Sequence, residues 1–143
     1  MAHVVAFYPP VDFVTPRSYD YPPIPPGSTG IDLPLKLSSI FDEAYRGKGD
    51  PKDPRFSPAL ADPGSFAPMT IITCQCDVLQ VEGQRLARRA KAAGVDSHHF
   101  RVDGVGHGWD KDVKEGTVPW KKREEAYAEA IWRLETVFGP RLE

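Results

Sequence analysis

Apolar residues in this chain gather into a few short blocks separated by long polar and proline-rich stretches, and the spacing inside each block sets the element expected there. Val4-Val5-Ala6-Phe7-Tyr8 is a continuous apolar run rich in β-branched and aromatic residues, closed by Pro9-Pro10. That pattern suits a strand buried on both faces of a parallel sheet. Thr70-Ile71-Ile72-Thr73-Cys74 repeats the character and predicts a second strand, followed by a loop over 75–80. From Val81 to Ala93, Leu86, Ala90 and Ala93 recur at helical spacing opposite Arg85, Arg88, Arg89 and Lys91, and Gly94 is placed to end the helix. His98-His99-Phe100-Arg101-Val102 predicts a third strand. A last helix, about Lys121 to Phe138, sets Tyr127, Ala130, Ile131, Leu134, Val137 and Phe138 on one stripe above a charged, solvated start, and ends at Gly139-Pro140.

The first half reads differently. Residues 9–34 carry eight prolines together with Gly27 and Gly30, too many breakers for helix or ladder, so an irregular excursion is expected there. Ser38 to Arg46 predicts a short helix with Ser38 or Ser39 as N-cap, before the turn-rich Gly47-Lys48-Gly49-Asp50-Pro51. Of fifteen prolines, thirteen precede residue 69, which concentrates regular structure in the second half. Strands alternating with helices imply right-handed crossovers and an α/β fold with a small parallel sheet, in which catalytic groups collect on loops at the strand carboxyl ends. The expected organisation is a single domain over 1–143, with a proline-rich segment at 9–68 and a strand-helix-strand-helix unit at 69–143.

Composition narrows the partners. A length of 143 residues suits one hydrophobic core, and the 41% apolar and 27% charged fractions are those of a globular chain. No run approaches the roughly 18 apolar residues of a membrane span. The opening run lacks the basic start of a secretory signal. A net charge of -2 and a pI near 6.1 remove the electrostatic footprint of a nucleic-acid or polybasic membrane binder, leaving small molecules or protein as partners. The two cysteines, Cys74 and Cys76, point to one face of a strand without bridging geometry, which favours a reducing, cytoplasmic compartment.

Two residues stand out chemically. Asp77 follows the second strand and His107 follows the third, inside Gly104-Val105-Gly106-His107-Gly108-Trp109. Neighbouring strands lie about 4.8 Å apart, so a carboxylate and an imidazole on their terminal loops can meet. In nucleophilic hydrolysis such a carboxylate holds the imidazole tautomer while the imidazole takes a proton from a serine. Each has a plainer reading: Asp77 as a helix-start residue with Gln80 at capping-box spacing, and His107 as a surface-loop histidine. Cys74, Cys76, His98 and His99 lack the spacing of a zinc motif, and the pair His107 and Asp110 is too few ligands to specify a cation. His98 and His99 carry no expected chemistry. Cys76 is turned away from Asp77 by strand alternation, and no glycine-rich phosphate loop is present. No metal or cofactor is expected.

Asp53-Pro54-Arg55-Phe56-Ser57-Pro58, the strand into Cys76-Asp77-Val78-Leu79 with Glu82-Gly83 beyond it, the helix ending Ala92-Ala93-Gly94-Val95, and Gly106-His107-Gly108-Trp109 occur in that order. This combination resembles the C-terminal half of an α/β-hydrolase, in the esterase and lipase group related to hormone-sensitive lipase, from the first strand to the end of the chain. The resemblance implies a partial α/β-hydrolase fold of about three parallel strands with flanking helices. Residues 9–68 would be cap-like material over an acyl pocket. It implies a cofactor-free serine esterase acting on a small or medium acyl ester, with Asp77 as triad acid and His107 as triad base. Phe7, Tyr8 and Trp109 would be wall residues of the pocket or simply core.

The sequence departs from that family at the nucleophile. The family's Gly-x-Ser-x-Gly elbow and its oxyanion-hole glycines are both missing from these residues. The nearest string, Pro26-Gly27-Ser28-Thr29-Gly30, has proline in place of the first glycine and no strand before it, so Ser28 reads as a decoy. The chain alone is therefore expected to be inactive. The alternatives are a truncated, catalytically inactive fragment or protein-interaction module, prone to self-association through an exposed strand edge, or a chain completed by a separate N-terminal half.

Overall fold

The sequence MTIITCQC places apolar or hydroxyl-bearing side chains on both faces of one strand, and this strand, β2 (Met69–Cys76), is the centre of the fold, with seven of its eight residues buried. In the computed structural model, which describes residues 2–139, β2 lies between β1 (Val4–Phe7) and β3 (Ser97–Gly106) in a sheet of order β1-β2-β3. Both pairings are parallel: Val4 faces Met69 and Phe7 faces Ile72, while Met69 faces Ser97 and Cys74 faces Val102. Parallel neighbours require crossovers. The first is the long proline-rich segment, which holds α1 (Leu35–Arg46) and two 3-10 turns, Pro58–Leu60 and Pro63–Ser65. The second is α2 (Gln80–Ala92), and α3 (Val118–Phe138) follows β3.

Strand alternation divides the core between the two faces of the sheet. Ile72 and Cys74 join Val102, Val105, Trp109 and the α3 residues Ala126 and Ala130 on one side. Met69 and Ile71 meet Leu86, Ala87 and Ala90 of α2, together with Val11, on the other. The small cluster Leu33, Val78 and Leu79 sits under the proline-rich segment.

Several expectations need correction. β1 is an edge strand among the described residues and is only half-buried, with Val4 48% exposed, where burial on both faces was expected. It ends at Phe7 because Tyr8 turns out of the strand at φ +39. α1 begins at Leu35, after Pro34, and Ser38 is buried one turn inside it as a hydrogen-bond partner of Arg17, not an N-cap. β3 runs to Gly106, well past Val102. α3 starts at Val118 and buries Ala126 and Ala130, whereas Ile131 and Phe138 of the expected stripe are 38% and 58% exposed. The two alanines join the core, Tyr127 packs its ring against Phe7 of β1 with centroids 5.3 Å apart, and Ile131 and Phe138 fall outside. Gly139 follows α3, and Pro140 lies outside the described residues. No helix among those residues is long and apolar enough to cross a membrane.

The proline-rich segment is tied to α2 by a buried ion network. Arg17 Nε donates to Glu82 Oε2 at 2.8 Å, and its Nη1 donates to Ser38 Oγ at 2.7 Å and to Asp42. Glu82 Oε1 also accepts the Val11 N–H at 2.7 Å. A guanidinium keeps its charge at every working pH, so a buried one needs carboxylate partners. Replacing Glu82 by Ala leaves that charge with Asp42 as its one carboxylate partner and takes the acceptor from the Val11 N–H, and the variant should lose about 3 kcal/mol of stability, read as a lower urea midpoint with an unchanged m value.

Candidate active site

The site begins with an irregularity between β2 and β3. Between the pairs Cys74–Val102 and Cys76–Gly106, β3 uses two more residues than β2. Gly104 adopts φ +66 in this arch, and its N–H donates to Gln75 Oε1 at 2.8 Å. Bulges of this kind re-aim the side chains beyond them. Without the shift, the register would carry Asp77 to Val105; with it, the next position after Cys76–Gly106 sets Asp77 beside His107.

Asp77 and His107, 30 residues apart, meet there: Nδ1 of the imidazole and Oδ2 of the carboxylate are 2.9 Å apart. The Asp77 side chain is fully buried and that of His107 is 23% exposed. A carboxylate can only accept, so the bond assigns the proton to Nδ1 and leaves Nε2 as the basic nitrogen. Asp77 Oδ1 accepts the Leu79 N–H at 3.0 Å, and the Asp77 carbonyl accepts the Gln80 N–H, where α2 begins. Asp77 thus bonds to the residue before α2 with one carboxylate oxygen and faces the imidazole with the other, but it is not the N-cap, which is Leu79, and the Gln80 side chain turns to Gln84 and closes no capping box. Asp77 borders a cavity of about 270 Å³ shared with Arg17, Tyr21 and Val78. His107 borders another of about 400 Å³, with Thr29, Ile31 and Lys111.

The proline-rich segment pins the His107 loop directly. Ile31 and His107 exchange both backbone hydrogen bonds at 2.9 Å, an antiparallel bridge, and Gly106 N–H donates to the Thr29 carbonyl at 3.0 Å. Thr29 Oγ1 donates to the Trp109 carbonyl at 3.1 Å, and Ser28 Oγ donates to the Gly104 carbonyl. The backbones approach closely because neither facing residue has a side chain. A Cβ on Gly30, at φ +91, would lie 2.5 Å from the Gly106 carbonyl carbon, and one on Gly106 would lie 2.7 Å from the Ile31 oxygen. Ser28 is therefore part of a clamp, consistent with its reading as a decoy.

Asp110, 4% exposed, organises the other side of the loop. It accepts hydrogen bonds from Tyr8 Oη at 3.0 Å, Tyr127 Oη at 2.7 Å and Lys111 Nζ at 2.8 Å. Burial alone would raise this carboxyl, but the bonds from Lys111, Tyr127 and Tyr8 outweigh it and hold Asp110 below the ordinary carboxylate value. These partners occupy both oxygens, which removes the cation pair of His107 with Asp110 from consideration.

The remaining groups are engaged elsewhere. Ser57 is fully buried, its hydroxyl donating to the Pro51 carbonyl at 2.6 Å and accepting the Phe13 N–H at 3.0 Å. Cys74 and Cys76 are buried free thiols, both pushed up by burial and so kept from thiolate chemistry. His99 Nε2 meets Thr73 Oγ1, and His98 meets Glu129 and Arg133. Among the described residues, no three His, Cys, Asp or Glu side chains gather as a metal set. Trp109 is core, 1% exposed. The sequence reading missed Gln75, Thr29 and Ile31 as parts of the site. The glycines at 30 and 106 were the available signal, since paired glycines mark a close backbone approach.

Gly30→Ala should break the clamp. The expected result is a loss of more than about 1 kcal/mol, with faster hydrogen exchange at the amides of Ile31 and His107 in particular. Acid stability tests Asp110. Its folded-state value lies below its unfolded one, so its contribution is complete above the ordinary carboxylate value of about 3.9 and is lost as pH falls through the folded value. Urea midpoints of wild type should fall more steeply below about pH 4 than those of Asp110→Asn, which should be less stable at neutral pH.

Comparison with known proteins agrees with this architecture. The sequence profile of the alpha/beta hydrolase fold matches residues 1–111. No curated protein sequence matches the chain significantly. Among solved structures, vibralactone cyclase superposes with a TM-score of 0.76 at 22% identity, covering 99% of this chain and 42% of that one. A hormone-sensitive lipase from a metagenome library gives 0.68 at 22% identity, covering 90% and 43%. Brefeldin A esterase, a bacterial homologue of human hormone sensitive lipase, gives 0.53 at 26% identity, covering 73% and 28%. The chain thus spans less than half the length of each of these structures. With its parallel β1-β2-β3 sheet and a profile match over most of its length, the chain belongs to the α/β hydrolase fold family, beside structures of the hormone-sensitive-lipase-like esterases and lipases.

Proposed function

We propose that this chain carries the acid and base of a serine-type carboxylic ester hydrolase, Asp77 as the acid and His107 as the base. The observation that carries the reading is the 2.9 Å contact between a buried carboxylate at the end of β2 and a partly exposed imidazole at the end of β3. In this mechanism Asp77 keeps the proton on Nδ1 and stabilises the imidazolium that forms. Nε2 takes the hydroxyl proton of a serine as the oxygen attacks the ester carbonyl, then returns it to the leaving alkoxide. Water, activated by the same nitrogen, releases the acid from the acyl-enzyme. The serine and the oxyanion donors come from outside these 143 residues, since no Gly-x-Ser-x-Gly is present and the Ser28 and Ser57 hydroxyls are committed to backbone carbonyls. The esterases and lipases among the similar structures support an ester as substrate, and we propose a small or medium acyl group.

A fluorophosphonate probe with mass-spectrometric mapping tests the assignment. The pure chain should give no stoichiometric serine adduct and no turnover of p-nitrophenyl butyrate. Mixed with a polypeptide carrying the nucleophile elbow and oxyanion glycines, it should gain activity that His107→Ala lowers by at least about a thousandfold. An adduct on the pure chain that requires His107 would place the nucleophile inside it and overturn the two-part mechanism. A mixture that stays inactive would also count against it. The open outer edge of β1 would then favour an inactive chain that self-associates or binds another protein.

A further inference from the structure

Tyr8 sits where the chain leaves β1 and is fixed at both ends. Its backbone N–H donates to the Ile72 carbonyl at 2.6 Å, and its hydroxyl donates to Asp110 Oδ1 at 3.0 Å. Its φ of +39 lies in the left-handed region, which a residue with a large side chain avoids, and the following Pro9 restricts its backbone further. Such a conformation persists only when surrounding contacts over-determine it. Between the two anchors, the Tyr8 ring lies edge-on to the His107 imidazole, with centroids 4.6 Å apart and planes at 63°. It also meets Trp109 at 5.9 Å.

We propose, resting on the assignment of His107 as base, that Tyr8 is a positioning residue: tethered to Asp110, its ring blocks rotation of the imidazole and keeps Nδ1–H on Asp77. A histidine on a loop turns about two side-chain bonds, and one hydrogen bond leaves it a swinging motion about that contact. The edge of the Tyr8 ring supplies the second restraint, from a strand on the far side of β2 from His107. The tether holds across the working pH range, because burial, with Asp110 beside it, pushes the Tyr8 hydroxyl up to about 12 and keeps it a donor. Asp110 acts here only as the anchor.

The test is NMR of the imidazole protons in the 143-residue chain. Wild type should show a low-field His107 Nδ1–H resonance. Tyr8→Phe keeps the ring and removes the tether, and should make that proton exchange with water about tenfold faster, the factor corresponding to one hydrogen bond to a charged group. Tyr127→Phe takes a comparable bond from the same carboxylate without touching the imidazole, and should leave the resonance unchanged. A purely structural role would lower the unfolding midpoints of both variants and leave the imidazole signal alike in both. Should Tyr8→Phe fail to fold, Asp110→Asn weakens the tether from its other end and gives the same readout. An unaltered His107 resonance in the folded variant overturns the proposal. Absence of any Nδ1-bound proton in wild type would instead remove the acid–base assignment itself.

Discussion

A carboxylate with 1% exposure has to be satisfied by the protein around it, and Asp77 is that group here. Its two oxygens face different elements: Oδ1 closes the backbone turn that starts α2, and Oδ2 faces the imidazole that follows β3. Strand end, helix start and loop therefore converge on one side chain, and moving the helix start or the loop takes one of its donors from a buried charge. The position of Asp77 depends in turn on β2, which is covered on both faces and paired on both sides. In this fold the most buried strand delivers a fully buried charge.

The imidazole is restrained from several separate stretches of chain. The Gln75–Gly104 bond shapes the arch before it, the backbone of Thr29 and Ile31 holds its own, and the Tyr8 ring lies against its side. Only one of these comes from the strand-helix-strand unit that contains both Asp77 and His107. The other two come from β1 and from the proline-rich crossover, which is itself anchored by Arg17 to Glu82 on α2. Prolines suit such a crossover because they remove freedom from the unfolded chain while leaving carbonyls free to accept. The Cys76 thiol, for example, donates to the Pro23 carbonyl at 3.5 Å.

Local pattern made the strands and helices legible, because burial on one face writes itself into the spacing of apolar residues. That Asp77 and His107 meet was legible too, from their places after successive parallel strands. Errors arose where a distant partner overrode local preference. Ser38 looks like an N-cap, but Arg17 recruits it into a helix already under way. Gly104 and Gly106 look like loop residues, yet the Gln75 side chain and the Thr29 carbonyl accept their N–H groups within β3. Tyr8 reads as the last residue of an apolar run, and nothing local announces that Asp110 holds its hydroxyl.

The arch in β3 also bears on how the chain finds its pairing. A zipper of β2 and β3 that continued without the two extra residues would still align hydrophobic positions, setting Asp77 against Val105. That alignment takes the imidazole from Oδ2 and leaves the buried carboxylate with the Leu79 N–H on Oδ1, and a buried charge that loses a partner is costly. The residue assigned to the chemistry therefore also bears on folding, since the alignment that brings the imidazole alongside is the one that gives this buried carboxylate a second partner.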